Sequence, residues 1–495
     1  MAAVEHPQPT GHPFELGRAN ESGEHDVVVG PVGPHDAIAA RRWIGLAVGV
    51  LVLAGLFATL LVIGRVPPLD RLFEDPLLFR RGLVVHVDLA LVAWFYCFTA
   101  GLWFLLPSQG SGRRAAHLSP WVAVAGIALM VAGAGVPGAE PVLSNYIPVI
   151  DHPVFLTGLG LLFGSIAMAF IDRRLVPSGE ARRGIATIPD AARPGLRAAA
   201  IAFLLAMVTM VAAWVTTPSV LATQTYYEFL FWGGGHVLQV ASECAMLVAW
   251  LLLIHGATGR SPMSRSTGSV LFGVLLLPML AGPVLAGMGT TTGTYRHGFT
   301  QLMRWAIWPA VTVFLILCIK ELASARREGR LPSAGLNDWR LRGFYISAGL
   351  TVLGFVLGAL IRGSNTMVPA HYHAAIGAVT AAFMAVTWVV LEPLGITLAT
   401  ARKKALAGWQ PVLFGVGQMV FAVGFGWAGS HGAARKTYGT EQQIHSTAEY
   451  AGLAVMGIGG LVAVIGGVLF LVLVVSAWRS SRASTPSTSP GGTNG

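Results

Sequence analysis

Two histidines, His371 and His373, stand two positions apart at the beginning of a long apolar segment, MVPAHYHAAIGAVTAAFMAVTWVVL. Residues two apart on an α-helix are turned by roughly 200° from one another. Both imidazoles would therefore lie at one depth along the helix axis and point to opposite sides. The spacing predicts that a single helix ligates two different planar cofactors.

Isolated polar residues also interrupt two other apolar segments. His86 lies in RRGLVVHVDLALVAWFY, and His236 lies in YYEFLFWGGGHVLQ. Gln239 and Glu243 follow His236 at spacings of three and seven, so a helix would present all three side chains on one face. These residues are candidates for metal binding or proton transfer.

The elements that carry these residues are long apolar helices. The chain has 495 residues, of which 54% are hydrophobic and 11% charged, and its mean hydropathy is +0.64. This composition predicts an all-α polytopic membrane protein, and a window of about 19 residues finds roughly twelve spans. We expect a twelve-transmembrane-helix bundle. The predicted spans are 43–64, 83–106, 120–137, 153–171, 198–215, 228–255, 268–288, 300–320, 343–361, 371–396, 411–429 and 450–478.

The distribution of lysine and arginine predicts the orientation, because cationic loops stay on the cytoplasmic side of a membrane. Assigning the N-terminus to the inside places roughly 24 of the 33 basic residues in the cytoplasm, together with both termini. The formal charge of +10 then reflects juxtamembrane cations that suit anionic membrane lipid, not nucleic acid. We expect an integral protein of a bacterial-type inner (cytoplasmic) membrane.

The two ends of the chain differ from this apolar body. Residues 1–42 are rich in polar residues, Pro, Gly and His, which predicts a disordered cytoplasmic N-terminal arm. Residues 43–478 are expected to form the twelve-span membrane domain. Residues 479–495 are expected to form a disordered cytoplasmic tail.

The predicted topology brings His86, His236, His371 and His373 into one layer of the membrane, within about two turns of the outer ends of their helices. Polar groups at that depth are costly and usually face the interior of the bundle, where they bind something. Neutral imidazoles on facing helices of a dry bundle suit haem iron, whose potential depends on axial ligands and burial. Haem ligation is the chemistry that these histidines predict.

These segments resemble a known family. PAHYHAAIGAVT on span ten, the histidine of RRGLVVHVDLALVAWF on span two and WGGGHVLQ at the start of span six are similar to subunit I of the haem-copper oxidase superfamily. Twelve spans with both termini inside are a further similarity. That superfamily contains the terminal oxygen reductases and the bacterial nitric oxide reductases. The resemblance extends over residues 43–478.

The resemblance implies two haems and a partner metal. His86 and His373 match the axial ligands of a low-spin haem, and His371 matches the proximal ligand of a high-spin haem with an open face for gas. His236 matches the histidine that binds the partner metal, which is copper in oxidases and non-haem iron in nitric oxide reductases.

A basic pair is a further match to the family. Arg435 and Lys436, between spans eleven and twelve, correspond to the pair that holds the haem propionates. This role is physically sensible, because a basic pair on the outer side would neutralise carboxylates at the haem edge.

The sequence departs from the family pattern around the partner metal. The outer end of span seven lacks the usual adjacent histidines: Met288 to Thr294 supplies Gly and Thr, which are poor copper ligands, and His297 follows later. Val240 replaces the oxidase tyrosine one turn after the span-six histidine. Gln239 and Glu243 could instead complete a weak, oxygen-rich metal site, or form a polar lane for protons and water.

Two classes of function follow from the resemblance and the departures. The first is a haem-containing subunit of a respiratory terminal oxidase-like complex, an oxidoreductase that reduces dioxygen or, alternatively, nitric oxide. Its electrons would come from a separate subunit, cytochrome c or a cupredoxin on the outer side. The second is a haem protein without a binuclear metal site, serving as an electron relay or a sensor. A solute carrier is disfavoured, because no internal repeat is evident and a carrier does not explain the paired histidines.

Overall fold

A computed structural model describes residues 33–63, 76–106, 113–176, 188–331, 338–435 and 444–483. Residues 1–32 of the expected arm, residues 484–495 of the expected tail and Lys436 lie outside the described residues. The expectation of disorder up to residue 42 is wrong for residues 34–42, because the first helix begins at Pro34. Asp36 stabilises this extension through a 2.6 Å ion pair with the buried guanidinium of Arg174.

The described residues form fourteen α-helices and one short pair of strands. The helices are α1 Pro34–Ile63, α2 Pro76–Val87, α3 Trp94–Trp103, α4 Arg113–Ala134, α5 Pro153–Phe170, α6 Arg193–Thr216, α7 Thr223–Thr258, α8 Arg265–Leu276, α9 Ala281–Gly287, α10 Gly293–Arg327, α11 Trp339–Ala359, α12 Met367–Leu391, α13 Ala401–Ser430 and α14 Thr447–Ala483. Because α14 runs to Ala483, the first residues of the expected tail are helical too.

Twelve helical spans of the described chain are long and apolar enough to cross a membrane, which confirms the predicted twelve-helix bundle. Two spans are interrupted. A π-helical segment, Asp88–Ala93, joins α2 to α3, and a 3-10 segment, Leu277–Leu280, joins α8 to α9. Pro278 explains the second interruption, because proline lacks the N–H that an α-helix needs and clashes with the preceding turn.

Helices α7 and α12 form the centre of the bundle. In their most apolar stretches, 89% and 83% of the residues are buried inside the protein, against 28% in α10. Helix α12 packs against α11, α13 and α7. The helix that carries His371 and His373 therefore lies beside the helix that carries His236.

Helices α13 and α14 approach one another closely along glycines. A Cβ atom at Gly424 would lie 2.4 Å from the backbone nitrogen of Met456, and one at Gly459 would lie 2.3 Å from that of Phe421. Small residues permit such backbone contact, which is a common basis of helix association in membranes. The contact fixes the part of α13 that faces the paired histidines.

A short antiparallel hairpin, which the sequence analysis does not predict, follows α4. Strand β1, Glu140–Val142, pairs with β2, Val149–Asp151, so that Pro141 faces Ile150. The loop between the strands carries Tyr146, whose backbone φ is +69°. This loop lies against the first turns of α7, at the end of the bundle where α7 and α12 begin.

Candidate functional site

His371 lies in the second turn of α12 and contacts α11. Its Nδ1 atom donates a hydrogen bond to the carbonyl oxygen of Gly354 at 2.7 Å. A carbonyl only accepts, so the proton of the neutral ring is on Nδ1 and Nε2 keeps its lone pair. Metal-binding histidines typically have a hydrogen-bond partner on one ring nitrogen and a free lone pair on the other. The fit is tight: a Cβ at Gly358 would lie 2.8 Å from Nδ1.

His373 contacts the helix on the other side of α12. The centroid of its ring lies 4.7 Å from that of Phe421 and 6.2 Å from that of Phe425, and both phenylalanines belong to α13. The two histidines therefore leave α12 toward different helices, α11 and α13. This divergence agrees with the rotation that a spacing of two residues gives on a helix.

His86, near the end of α2, repeats the arrangement of His371. Its Nδ1 atom donates a hydrogen bond to the carbonyl oxygen of Ala54 on α1 at 2.8 Å, which leaves Nε2 free. His86 and His373 interact electrostatically, so the two imidazoles lie in the same part of the bundle. Two imidazoles from different helices, one of them beside aromatic rings, form a set that can ligate a haem iron.

His236 differs because both of its ring nitrogens are engaged. Nδ1 donates to the carbonyl oxygen of Trp232, one turn earlier in α7, at 2.6 Å. Nε2 lies 2.9 Å from the hydroxyl oxygen of Tyr146. Since Nδ1 carries the proton, Nε2 accepts a hydrogen bond that Tyr146 donates. The two ring centroids are 4.5 Å apart.

Glycines before His236 provide room for neighbouring aromatic side chains. A Cβ atom at Gly235 would lie 2.4 Å from the Cβ atom of Tyr146. One at Gly233 would lie 2.7 Å from the ring of Phe299. The WGGGHVLQ motif thus allows the Tyr146 ring to reach His236, since any larger residue at position 235 would displace it.

Tyr146 is held as a protonated phenol. Burial raises the pKa of its hydroxyl, the Glu228 carboxylate raises it further, and the Arg435 guanidinium lowers it. The raised pKa keeps the proton on the oxygen at neutral pH, so that the hydroxyl can donate to His236. The sequence around Tyr146 does not indicate this contact. The sequence feature that does is the run of glycines before His236.

Gln239 and Glu243 continue along α7 beyond His236. The Oε1 atoms of both side chains are buried and have no hydrogen-bond partner among the described residues. Buried polar atoms are normally paired with protein or with ordered water. The two oxygens therefore mark a place where water or a ligand belongs.

The surroundings of His236 do not fit a partner metal. The described residues contain no group of three His, Cys, Asp or Glu side chains that could hold an ion. His297 lies on the exposed surface of α10, with Nε2 at 3.4 Å from the Gln301 amide nitrogen. Thr290 is buried but its hydroxyl is hydrogen-bonded to that of Thr217 at 3.0 Å.

Arg435 reaches the hairpin loop. Its Nη2 atom donates to the side-chain oxygen of Asn145, and Asn145 donates its backbone N–H to Glu228 Oε2 at 2.8 Å. The segment before Arg435 is tied to the start of α12 by a 3.0 Å hydrogen bond from Thr366 N to Ala433 O. Arg435 therefore lies at the same end of the bundle as the paired histidines, where it can neutralise a carboxylate.

Twelve apolar helices of this length and composition define an integral membrane protein. The chain belongs to the cytochrome c and quinol oxidase polypeptide I family, whose model matches residues 39–469. Members of this family are oxidoreductases. A solved haem-copper terminal oxidase dimer has the same fold, with a TM-score of 0.65 and 16% identity over 92% of this chain and 86% of that chain.

Two relatives match over most of their own length. An uncharacterised protein of Aquifex aeolicus (strain VF5) is 28% identical over 354 residues, which cover 71% of this chain and 84% of the relative. Uncharacterised protein RP382 of Rickettsia prowazekii (strain Madrid E) is 22% identical over 498 residues, which cover 89% and 96%. Neither name assigns an activity, so the detailed function is argued from this chain's own residues.

Proposed function

We propose that this protein is the haem-bearing subunit of a terminal oxidase-like complex and that it reduces dioxygen. His86 and His373 would hold a low-spin haem that supplies electron transfer, and His371 would hold a high-spin haem that supplies gas binding. Haem iron supplies electron transfer and gas binding, and its axial ligands and burial set its potential. A separate subunit, cytochrome c or a cupredoxin delivers electrons on the outer side.

The divergence of the two histidines from one turn of α12 carries this proposal. His371 is bonded to a carbonyl of α11, while His373 packs on aromatic rings of α13 near His86. One helix can serve two flat cofactors only if its ligands leave on opposite faces. A transport or scaffold role requires no such pair of imidazoles.

Backbone carbonyls orient two of the proposed ligands. The hydrogen bonds to Gly354 and Ala54 hold the rings of His371 and His86 in one orientation and leave Nε2 of each free. A hydrogen bond on the far nitrogen also makes an imidazole a stronger base toward iron. These two contacts prepare the site before any cofactor is bound.

Other residues are proposed to transfer protons and to bind the haem propionates. Gln239 and Glu243, with buried unpaired oxygens, hold water and pass protons toward the gas site. Arg435 binds a haem propionate, together with Lys436, which lies outside the described residues. In this proposal the Arg435 guanidinium contacts a propionate beside Asn145.

The proposed membrane is a bacterial-type inner membrane, with both termini in the cytoplasm. The excess of lysine and arginine in alternate loops supports this orientation. It puts the hairpin, Arg435 and the beginnings of α7 and α12 on the outer side. His86 and His373 would therefore hold the haem that accepts electrons on the outer side.

The surroundings of His236 favour nitric oxide reduction as a second candidate function. Reduction of dioxygen to water takes four electrons, whereas joining two nitric oxide molecules as nitrous oxide takes two. Two haems can release two electrons without a third redox metal, and the described residues offer no three-ligand site for such a metal. The same observation is compatible with an electron relay or a sensor.

Optical spectra of the purified protein, reduced and reduced plus carbon monoxide, test the proposal. We expect two haems per chain, with carbon monoxide on one of them. His371→Ala should abolish carbon monoxide binding and keep the low-spin spectrum, and His86→Ala should do the reverse. His297→Ala, on the exposed surface of α10, is the matched control and should keep both haems.

Gas consumption separates the candidate functions. Oxygen and nitric oxide uptake by the purified protein should be measured with a polarographic electrode and an artificial electron donor. The preferred gas is the substrate, and His371→Ala should abolish its uptake. Equal inactivity toward both gases would favour the relay or sensor, and a protein without haem would refute the proposed function.

A further inference from the structure

We infer that the Tyr146 hydroxyl, hydrogen-bonded to Nε2 of His236, occupies the position that the partner metal takes in this family. The gas pocket then presents a phenol–imidazole pair in place of a metal. The inference rests on the proposed function, because it identifies the groups that face gas at the haem held by His371. It assigns a role to Tyr146, which comes from the loop of the hairpin.

The distance between two atoms excludes a metal on the same lone pair. The Tyr146 oxygen lies 2.9 Å from Nε2 of His236. A first-row metal binds an imidazole nitrogen at about 2.0–2.1 Å, so an ion on this line would lie roughly 1 Å from the Tyr146 oxygen. Bonds from such metals to oxygen are about 2.0–2.2 Å long. A metal on His236 and this hydrogen bond therefore exclude each other.

The other nitrogen of His236 offers no alternative ligand atom. Nδ1 donates to the carbonyl of Trp232 at 2.6 Å, within the same helix. The ring is also enclosed by aromatic side chains, with centroids 4.8 Å from Trp232 and 5.7 Å from Phe299. Turning the ring to release Nδ1 would break the hydrogen bond and disturb both contacts.

Three separate features fix the position of Tyr146. Among the described residues, Tyr146 is the sole non-glycine with positive φ, at +69°. A bulky residue keeps this conformation only where its surroundings impose it, and such strain is concentrated at functional sites. Asn145 anchors the loop to Glu228, and Gly235 leaves the space that the ring fills.

The pair determines which ligands the pocket accepts. The single proton of the phenol is donated to Nε2 of His236, and neither group has a vacant coordination position, so the pair cannot bridge a ligand to the haem iron as a second metal does. The pocket is therefore suited to a neutral diatomic gas that binds to one metal ion, such as dioxygen, nitric oxide or carbon monoxide. The Tyr146 oxygen would be a polar group beside that gas.

Metal analysis of the protein, expressed with added copper and iron, is the first test. We expect iron equal to the haem content and no stoichiometric third metal, whether or not position 236 is changed. One equivalent of copper or non-haem iron that disappears in His236→Ala would overturn the inference. The metal analysis tests the inference even if no haem is bound. Absence of haem would refute the proposed function but not the inference about His236.

The infrared C–O stretch of the carbon monoxide adduct is the second test. The C–O frequency depends on the polar groups around bound carbon monoxide, so Tyr146→Phe, which removes a hydroxyl from the pocket, should shift the frequency while haem content stays unchanged. Tyr227→Phe is the matched control, because it removes a hydroxyl that donates to Asp151 at 2.6 Å and makes no described contact with His236. An identical band in Tyr146→Phe and the parent protein would contradict the position assigned to Tyr146.

A second variant tests the geometry without removing the hydroxyl. Gly235→Ala places a methyl group 2.4 Å from the Tyr146 Cβ, so it should displace the ring and shift the C–O frequency as Tyr146→Phe does. Gly160→Ala, where a Cβ meets no atom within 4 Å, should leave the band in place. Equal bands in the two alanine variants would count against a position of Tyr146 in the gas pocket.

Discussion

The histidines at one end of the bundle fall into two groups with different surroundings. His86 and His371 donate Nδ1–H to carbonyls of neighbouring helices and keep Nε2 free. His236 donates to its own helix and has the Tyr146 hydroxyl on Nε2. Iron or copper needs a free lone pair, so the first group suits a metal and His236 does not. The chain thus offers a free imidazole nitrogen at two of the proposed haem ligands, and none at the histidine that matches the partner-metal ligand.

Removing one histidine from each region gives the largest expected contrast. His373→Ala deletes a proposed iron ligand and should reduce the haem content from two per chain to one. His236→Ala deletes only a hydrogen-bond partner of Tyr146 and should keep both haems. Haem per chain, measured by extraction and compared with protein mass, decides the matter. Equal losses of haem in His373→Ala and His236→Ala would show that the two groups of histidines do not differ in haem binding.

Crowding the His371 ring should have the next largest effect. Gly358→Ala adds a Cβ that would lie 2.8 Å from Nδ1 and 2.9 Å from Cε1 of His371, so the ring must tilt. Overpacking of this kind costs about 1–3 kcal/mol, which corresponds to roughly five- to 150-fold weaker carbon monoxide binding if the strain is present only in the bound state. Gly164→Ala, where a Cβ meets no atom within 4 Å, should bind carbon monoxide normally. Unchanged affinity in Gly358→Ala would show that His371 is not a ligand of the gas-binding haem.

Removing the side-chain hydrogen bonds of Asn145, the residue before Tyr146, should have a smaller effect. Asn145→Ala removes the side-chain amide that accepts from Arg435 and donates to Glu228 Oε1, and it leaves these polar partners unsatisfied, which costs about 1–3 kcal/mol. The thermal midpoint in detergent should fall, and the C–O band should move part of the way toward its position in Tyr146→Phe. Gln301→Ala, on α10, serves as the control. A lower midpoint with no band shift would separate the stability of the loop from the placement of Tyr146.

The smallest effect is expected at the other end of α12. Glu392 follows the last residue of this helix, and partial burial raises its carboxyl pKa, while Lys404 and Arg340 lower it. The folded state therefore holds this proton to a higher pH than the unfolded state. Its contribution to stability is complete below pH 4.5 and is lost as pH rises through the raised pKa.

Glu392→Gln should accordingly flatten the pH dependence of the thermal midpoint above pH 4.5 without changing the haem content. The side chain is half-exposed, so solvent screening keeps the difference small. A series of melting curves in matched buffers measures it. A steeper dependence in the glutamine variant would mean that the carboxylate is stabilised in the folded protein.

The spans and the intramembrane histidines could be predicted because both depend on local sequence. A run of about 20 apolar residues crosses a bilayer whatever its neighbours are, so hydropathy locates the twelve spans. The divergence of His371 and His373 follows from helix geometry alone. Their depth follows from their place at the start of an apolar run.

Contacts between distant segments could not be predicted. The extension of α1 to Pro34 depends on Asp36 meeting Arg174, which lies between the fourth and fifth spans. The contact of Tyr146 with His236 depends on a hairpin of two three-residue strands, too short for a pattern in the sequence. Gly235 leaves the space that this contact needs. Without the structure, however, a glycine does not reveal which side chain fills that space.

The helices that border the paired histidines come from both ends of the chain. His86 is bonded to α1, and the ring close to it, His373, is packed between α12 and α13. During synthesis the first two spans leave the ribosome long before these later helices exist. A nascent chain that stops before α12 therefore lacks one of the two histidines proposed to hold the low-spin haem, so we expect cofactor insertion to be a late step of biogenesis that acts as quality control for chain completion.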